Sequence, residues 1–500
     1  MTNVVIAGAG PNGLMLACEL ALAGITPVVL DALPGPSAEP KANGLVGQVI
    51  RMLDMRGLYQ AFTGDENPPQ PSPAWMFSGM QLDFEDPSQR PVYAMLMPQP
   101  RLVRLLEKRA RDLGVDLRWG HELAGLRPEA DGVTVDVRTA DGHYTLKPAY
   151  LVGADGGKSL VRKSIGIEFP GTTSATVARL AQVHVPDELR TPDGGLDIPG
   201  VGRIPFGHNW FEKGMVLVGA LQPDVLLVGT KEDGRADEQG PMSIAELRAS
   251  LQRIVGVDVP LEEPRGPGPH ALRRIDGQNT RQATCYRAGR VLLLGDAAHV
   301  HSAMGGPGLN LGLQDAVNLG WKLGAQINGW APHGLLDSYQ TERHPVGQRV
   351  MMHSMAQSAL MGSGPEVAAL RTLFGELIAM PEVSVHLGRL LAGSDVRYDV
   401  GDDHRLSGYL VPDLTLDDGR RVAALLHDGR PVLLDLTGAA ANTARHWADR
   451  ITIVAGTLAG GPAAVLIRPD GYVAWAADEF DSADERRLQA SLTRWFGPPH

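Results

Sequence analysis

Three glycines and a carboxylate, at a particular spacing, carry the first chemical signal in the chain. Gly8-Ala9-Gly10-Pro11-Asn12-Gly13 follows a short apolar run at residues 3–7. It opens a helical pattern (Leu14, Leu16, Ala17, Leu20, Ala21) that Gly24 stops, and a second apolar run, Val28-Val29-Leu30, ends at Asp31. Strand, glycine-rich turn, helix, strand and acid in this order form the arrangement that binds a dinucleotide. Gly8 makes the tight turn, Gly10 lets a pyrophosphate approach the backbone, and Gly13 lets helix and strand pack closely. The helix N-terminus faces the negative phosphates, and Asp31 can accept from ribose hydroxyls. This pattern does not separate NAD from FAD.

Two later stretches favour FAD. In Tyr150-Leu151-Val152-Gly153-Ala154-Asp155-Gly156-Gly157 a strand breaks at a carboxylate and a glycine pair, with Ser159 and Arg162 following. An ordinary turn aspartate explains Asp155 equally well. The other stretch runs from the strand-like Arg290 to Leu294 into Gly295-Asp296-Ala297-Ala298-His299. Met304-Gly305-Gly306-Pro307-Gly308-Leu309-Asn310 and a long helix through Leu323 come next. Gly295 keeps the backbone clear, so that Asp296 can accept from a polyol hydroxyl such as one of a ribityl chain. The glycine-rich turn presents free amides at a helix N-terminus. Such an end stabilises the negative charge of a reduced flavin near N1 without any charged side chain.

The elements that must hold these residues fit a chain of 500 residues, long enough for about two to four domains. Hydrophobic residues make up 43% and charged residues 21%, which is ordinary for a globular protein. A net charge of −11 gives no electrostatic reason to bind nucleic acid or an anionic membrane. No apolar run reaches the ~18 residues of a spanning helix. The strand at Val4-Val5-Ile6 has no basic region before it, so no secretory signal is expected. Cys18 and Cys285 are the two cysteines, far apart and without a CxxC, which argues against a disulfide framework or a thiolate metal site. The expected class is a cytoplasmic, multidomain, metal-free protein.

Residues 175–275 alternate short apolar runs (Leu180 to Val185, Met215 to Ala220, Val225 to Val228) with turn residues, the pattern of an antiparallel sheet. With the Trp75–Met97 segment it could form a platform over the flavin. Phe77, Met80, Leu96, Phe206, Trp210 and Phe211 are candidate pocket walls, although each is equally at home in a core. His208 and His270 could meet a substrate hydroxyl. After a helical stretch over about 309–390 the chain changes character near Arg397-Tyr398-Asp399. Strand-like runs follow at Val432-Leu433-Leu434-Asp435, at Ile451-Thr452-Ile453-Val454 and over Ala464 to Trp475, and a helix from about Ala483 to Trp495 ends the pattern.

The three motifs together resemble the single-component (class A) flavoprotein monooxygenases of the aromatic hydroxylase type. They read GAGPNG at 8–13, VGADGGKSLVRK at 152–163 and RVLLLGDAAH at 290–299. GGPGLNLGLQDAVNLGWKL at 305–323 and Tyr339-x-x-Glu342-Arg343-His344-Pro345 match as well, so the resemblance covers essentially the whole chain. In detail it is most similar to the aromatic polyketide hydroxylases of the angucycline and anthracycline type, with their Baeyer–Villiger and rifamycin-modifying relatives.

The resemblance implies an α/β fold of three parts. A split, Rossmann-like FAD-binding domain takes 1–175 and 276–395, with 70–97 contributing to the substrate pocket. An antiparallel-sheet substrate domain takes 176–275, and a thioredoxin-like α/β domain without CxxC takes 396–500. It also implies cofactor contacts: Gly8, Gly10, Asn12 and Gly13 at the pyrophosphate turn, and Asp31 at the adenosine ribose. Lys41 and Gln99 would meet the phosphates and ribityl chain, and the Leu123 backbone the adenine. Asp296 would meet the ribityl chain, with Gly308, Leu309 and Asn310 presenting amides to the isoalloxazine and Gly305, Gly306 and Pro307 near the flavin. Asp155, with Lys158 and Arg162, would help a transient NADPH (or NADH) beside the flavin. Three positions depart from the family pattern: Asp31 stands for Glu, Lys41 for Arg, so that a bidentate phosphate grip becomes a point charge, and Ala303 for a proline.

The chemistry so implied is FAD-dependent and uses O₂ with NAD(P)H. A C4a-hydroperoxyflavin delivers one oxygen atom to an electron-rich phenolic carbon of an aromatic polyketide-type substrate, with no protein nucleophile. Baeyer–Villiger oxygenation of a polyketide ketone and oxidation of an antibiotic such as a rifamycin remain alternatives, as does, from another class, a non-catalytic FAD- or drug-binding protein. The W-x-W-x-I-P stretch of flavin halogenases is missing. The expected partner is a small polycyclic aromatic molecule, without nucleic acid or membrane, and a homodimer is compatible with the chain.

Overall fold

Val4–Ala7, Tyr150–Gly153 and Val291–Leu293 are short runs of mainly branched apolar residues, the composition of strands buried on both faces. In the computed structural model, described over residues 3–39, 41–222, 225–234, 240–266, 270–302 and 306–499, they lie side by side. The sheet order is Arg287–Ala288, Val291–Leu293, Tyr150–Gly153, Val4–Ala7, Val28–Asp31, Asp116–Trp119. All neighbours are parallel except the Arg287–Ala288 edge. Because the central strands are parallel and in register, the three motifs that follow them leave the sheet at one edge. That is the crevice in which α/β sheets bind ligands.

Helix α1 (Pro11–Leu22) starts at the cap residue Gly10 with Pro11 in its first turn, and α2 (Gln99–Asp112) packs beside it. The three-stranded meander Glu122–Pro128, Val133–Thr139, Gly142–Leu146 leads the chain back into the sheet. A five-stranded antiparallel sheet, which reaches the crevice through Arg273, is ordered Gly207–Phe211, Gly214–Gln222, Val225–Asp233, Thr176–Val183, Leu272–Asp276. Its covering helix α3 (Ile244–Val255) is capped by the Ser243 hydroxyl, which accepts from the Glu246 amide, and stops at Gly256 in the left-handed region. Leu247, Leu251 and Ile254 of α3 close a core with Val216, Val218 and Val228.

The expected helical stretch resolves into α4 (Pro307–Ile327), α5 (Ser338–Leu360), α6 (Pro365–Ile378) and α7 (Pro381–Ala392). Helix α4 crosses α1 closely because of two glycines. A Cβ on Gly320 would fall 2.4 Å from the Glu19 Cβ, and one on Gly324 2.5 Å from the Ala23 Cβ.

The last strands form a four-stranded sheet ordered Thr452–Ala455, Val432–Asp435, Ala464–Ile467, Val473–Ala477, parallel at the first pair and antiparallel thereafter. Helix α8 (Ser482–Phe496) packs on it behind a capping box of Asp481 and Asp484. This sheet is bound to the rest of the molecule by a buried cluster in which Trp321 of α4 meets Trp495 and Phe496. No described helix is long and apolar enough to cross a membrane.

Candidate functional site

The crevice at the strand ends is a cavity of about 920 Å³. It is lined by Gly10, Asn12, Lys41, Gln99, Ala154, Gly156, Asp296, Gly306, Gly308 and Leu309. A recess of about 140 Å³ shares Gly10, Pro11, Lys41 and Gln99 with it and reaches Asp31 and Trp119. Residues from all three motifs therefore face one elongated space.

The glycines work as their spacing implies. A Cβ on Gly8, whose φ is +112°, would fall 2.3 Å from the Ala154 carbonyl oxygen, and one on Gly13 2.0 Å from that of Gly8. Gly10 has no protein atom within 4 Å of where its Cβ would be, so its open side is the cavity. Asn12 is seated between two further glycines: Cβ atoms on Gly295 and Gly312 would each lie 2.2 Å from its Nδ2. Its Oδ1 is buried without a hydrogen-bond partner among the described residues, as is Asp155 Oδ1.

The carboxylates differ in how much they have left to give. Asp31 accepts from the Ala9 amide at 2.8 Å and the Leu33 amide at 2.9 Å, so each oxygen keeps a lone pair for a ribose. Asp155 Oδ2 accepts from the Val161 amide at 3.0 Å, part of the turn that starts the helix Leu160–Ser164. Asp296, beside Gly295 with φ +57°, is exposed to the cavity. Desolvation by the protein that surrounds the cavity pushes its carboxyl above the usual carboxylate range, against the pull of His299 and Lys41.

The same cavity is lined by the start of α4. Gly306 caps it in the left-handed region, Pro307 has no N–H, and no side chain caps the first turn. The Gly308 and Leu309 amides there have no helical acceptor. Together, the open face at Gly10, the unpaired Asn12 and Asp155 oxygens, a carboxylate that can accept from a polyol, and an amide-bearing helix end fit a flavin dinucleotide.

Two expected residues, Pro307 and Arg162, are placed differently, and two others were expected through their backbone. The Asn310 side chain is buried: its Oδ1 accepts from the Val46 amide at 3.1 Å and its Nδ2 donates to the Gly306 carbonyl at 2.8 Å, which leaves the expected contact to its backbone amide. Pro307 lines a small void behind α4. The Leu123 side chain is in the main core, and its strand, paired with Val133–Thr139 on one side, is the edge of its sheet. Arg162 cannot reach an incoming nicotinamide nucleotide, because it is buried, donates to the Ala297 and Gly157 carbonyls, and lies 3.7 Å over Phe169. Gly305 and Ala303 lie outside the described residues.

Of the six expected pocket walls only Leu96 lines the cavity. Phe77 is buried against Phe374, Met80 packs in the same cluster, Phe211 packs on the α3 core, Trp210 lies under Arg371, and Phe206 is exposed. Neither His208 nor His270 lines the cavity, whereas Trp75, Asn43 and His301, which were not singled out, do. His301 is two residues past His299 in the third motif, and this proximity was the available signal. His299 in turn is 2.6 Å from Asp315 Oδ2, and Asp315 Oδ1 accepts from Arg343 Nε at 2.6 Å, all three wholly buried. Burial alone would raise the Asp315 carboxyl; Arg343 and His299 outweigh it and hold it below the usual range.

A profile of the FAD binding domain matches residues 1–354, and a profile of the aromatic-ring hydroxylase C-terminal region matches residues 404–499. The chain is 42% identical to the 12-dehydrotetracycline 5-monooxygenase/anhydrotetracycline 6-monooxygenase of Streptomyces rimosus subsp. rimosus, over 99% of each chain. It is 38% identical to the rifampicin monooxygenase of Streptomyces venezuelae, again over 99% of each. The solved structure of CabE, an aromatic hydroxylase from angucycline biosynthesis, superposes with a TM-score of 0.86 at 37% identity, covering 100% of both chains. The chain thus belongs to the FAD-binding aromatic-ring hydroxylase family and is a flavoprotein monooxygenase that uses FAD, NAD(P)H and O₂.

Proposed function

We propose that this protein hydroxylates an aromatic polyketide-type substrate held beside FAD in the 920 Å³ cavity. The observation that carries the reading is the presence, in the lining of one cavity, of Asp296 and the uncapped first turn of α4. Bound FAD supplies the activation of O₂. The Gly308 and Leu309 amides, at the positive end of the α4 dipole, stabilise negative charge on the flavin pyrimidine side. Asp296 accepts from the ribityl chain. Asn12 and Gly13 sit at the pyrophosphate, Asp31 at the adenosine ribose, and Lys41 and Gln99 along the phosphates. Trp75 and Leu96, both lining the cavity, offer a flat apolar substrate its wall and exclude water from it. Asp155 and the exposed Lys158 are left to meet NADPH at the mouth. No side chain is required as a nucleophile.

The same reading divides the chain into a split Rossmann-like FAD-binding domain (1–175 and 276–395, with 70–97 at the pocket), a substrate domain (176–275) and a thioredoxin-like domain (396–500). The strand order and directions of the last sheet support the third assignment. The protein works in the cytoplasm as a homodimer, without nucleic acid or membrane.

The purified protein should be yellow and should oxidise NADPH faster, with O₂ uptake, when offered tetracyclic phenols. Product NMR should locate one new hydroxyl on an aromatic ring. A ring-expanded lactone would assign Baeyer–Villiger chemistry instead, and flavin binding without substrate-stimulated turnover would assign a binding protein.

A further inference from the structure

We propose that His299 and Asp315 tie together the two elements that grip the flavin, the Asp296 turn and the first turn of α4. Arg343 and Tyr398 hold that tie from the core of the last sheet. Its role rests on the flavin placement proposed above. Asp296 sits in the short turn Gly295–Ala297. The strand Val291–Leu293, paired with Tyr150–Gly153, fixes the near side of that turn. The two-residue strand His299–Val300 fixes the far side, against Gln282 and Arg281. His299 is thus three residues past the carboxylate that meets the ribityl chain. Asp315 is seven residues past Gly308 on α4, two turns or about 10 Å along its axis. The two side chains meet at 2.6 Å, and neither is exposed. A carboxylate can only accept, so the imidazole Nε2 donates.

Charge neutrality does not require this contact. Arg343 Nε already donates to the other Asp315 oxygen at 2.6 Å. Its remaining nitrogens donate to the Tyr398 hydroxyl at 2.9 Å and the Leu311 carbonyl at 3.3 Å. That ion pair is complete without an imidazole, and buried ionic groups gain little over apolar packing. What the imidazole adds is a fixed distance between α4 and the Asp296 turn. Arg343, on α5, grips α4 at two points one turn apart, Leu311 and Asp315, which keeps the carboxylate facing His299. Tyr398 stacks on Tyr472 with ring centroids 4.2 Å apart, inside the aromatic cluster of the last sheet. A chain of buried contacts therefore runs from that sheet to the turn that carries Asp296. None of His299, Asp315 and Arg343 lines the cavity, so they are positioning residues. The consequence falls on reduced flavin more than on oxidised. The Gly308 and Leu309 amides stabilise negative charge that the reduced cofactor carries, so an α4 held off its mark disfavours reduction.

The test is the two-electron flavin potential of the full-length holoprotein at saturating FAD, which reports the ratio of affinities for reduced and oxidised FAD. His299→Leu removes the tie and leaves the Asp315–Arg343 pair intact. Reduced FAD should lose about tenfold more affinity than oxidised FAD, within the range of a charge at a helix end, and the potential should fall. His299→Gln, whose amide nitrogen can donate to Asp315, should restore the wild-type ratio. Tyr398→Phe keeps the ring on Tyr472 and should shift the ratio the same way by less, adding nothing in the His299→Leu background. Glu342→Gln breaks a neighbouring buried network and should lower stability without moving the ratio. An unchanged ratio in His299→Leu, no rescue by His299→Gln, an equal shift in Glu342→Gln, or a Tyr398→Phe effect that adds in full overturns the proposal. Asp296→Asn separates this failure from that of the flavin placement. If it loses FAD while His299→Leu matches wild type, the tie alone fails. If it retains FAD, the placement fails and takes the tie with it.

Discussion

A methyl group on Gly312 would fall 2.2 Å from the carboxamide nitrogen of Asn12, and Gly295 approaches the same nitrogen just as closely. Asn12 is thus seated in a notch between two stretches of backbone, one in α4 and one in the turn before Asp296. Ordinarily the end of a side chain yields to a new methyl cheaply, but here the second glycine removes the room. Gly312→Ala should therefore push the carboxamide into the cavity. Overpacking of this kind costs about 1–3 kcal/mol, which should appear as FAD bound roughly 5- to 150-fold more weakly by fluorescence titration of the apoprotein. FAD held as tightly as in wild type would remove Asn12 from the phosphate site.

Asp296 should act in opposite directions on the empty and the loaded protein. Its surroundings raise its carboxyl pKa above the unfolded value, so its charge costs folding stability at neutral pH. That cost disappears below the ordinary carboxylate range of about 4, where folded and unfolded chains are both protonated. Asp296→Asn should melt at a higher temperature than wild type as apoprotein at pH 7, and the difference should shrink on acidification. The same variant should lose FAD on gel filtration. An Asn variant that is less stable when empty, or that retains flavin fully, contradicts the assignment.

Arg468, in the turn before the last strand, is wholly buried between Glu342 and Asp470, its guanidinium 4.5 Å from the Trp495 ring centroid. Lys322 donates to Glu342 at 2.7 Å. Burial by itself would raise the Glu342 carboxyl, but Arg468 and Lys322 outweigh it and hold it well below the usual range. A depressed folded pKa gives stability that is complete above the unfolded value of about 4.3 and is lost as pH falls further. Glu342→Gln leaves buried cations uncompensated and should destabilise the protein by about 3–5 kcal/mol in denaturant unfolding. Adding Arg468→Met leaves Lys322 and Asp470 bridged by Asn318, and should recover part of the loss. A double variant that is less stable than the single would show that Arg468 contributes through packing on its aromatic neighbours.

The turn glycines were legible because a fixed spacing encodes them: Gly13 meets the Gly8 carbonyl within the same turn, and the Ala154 carbonyl that Gly8 meets belongs to the second motif, itself recognisable in the sequence. Asp296 was legible for the same reason. The Tyr339 to Pro345 motif could be noticed but not explained, since Glu342 meets Arg468 across 126 residues and Arg343 meets Asp315 across 28. The cavity walls were least legible. Trp75 and Phe77 stand two apart on one strand and so share a face, but only Trp75 reaches the cavity. Phe77 is taken instead by Phe374 of α6, a partner almost three hundred residues away that no local pattern announces. Arg162 is withdrawn from a nucleotide by the Gly157 carbonyl nearby and by that of Ala297, which the third motif brings in from far along the chain.

His301 should be uncharged whenever the enzyme works. Burial, with His299 adding to it, pushes its pKa down to about 4. Its Nδ1 lies 3.1 Å from the Ser302 carbonyl oxygen, which can only accept, so Nδ1 carries the proton and Nε2 is the bare nitrogen. Nε2 has no partner among the described residues. The ring packs on Gly308, where an added Cβ would be 3.2 Å from Cε1, so an imidazolium would stand against the positive end of α4. With its folded pKa below the unfolded 6.5 or so, the residue is neutral at no cost above that value and opposes folding increasingly as pH drops toward 4. Histidine ¹⁵N NMR of the holoprotein should show one Nδ1–H tautomer whose shifts stay constant between about pH 5 and 8. The signal is assigned by its loss in His301→Gln. A midpoint near 6.5 would mean that bulk water solvates the ring, and a cavity floor wet to that depth could not protect the flavin chemistry above it.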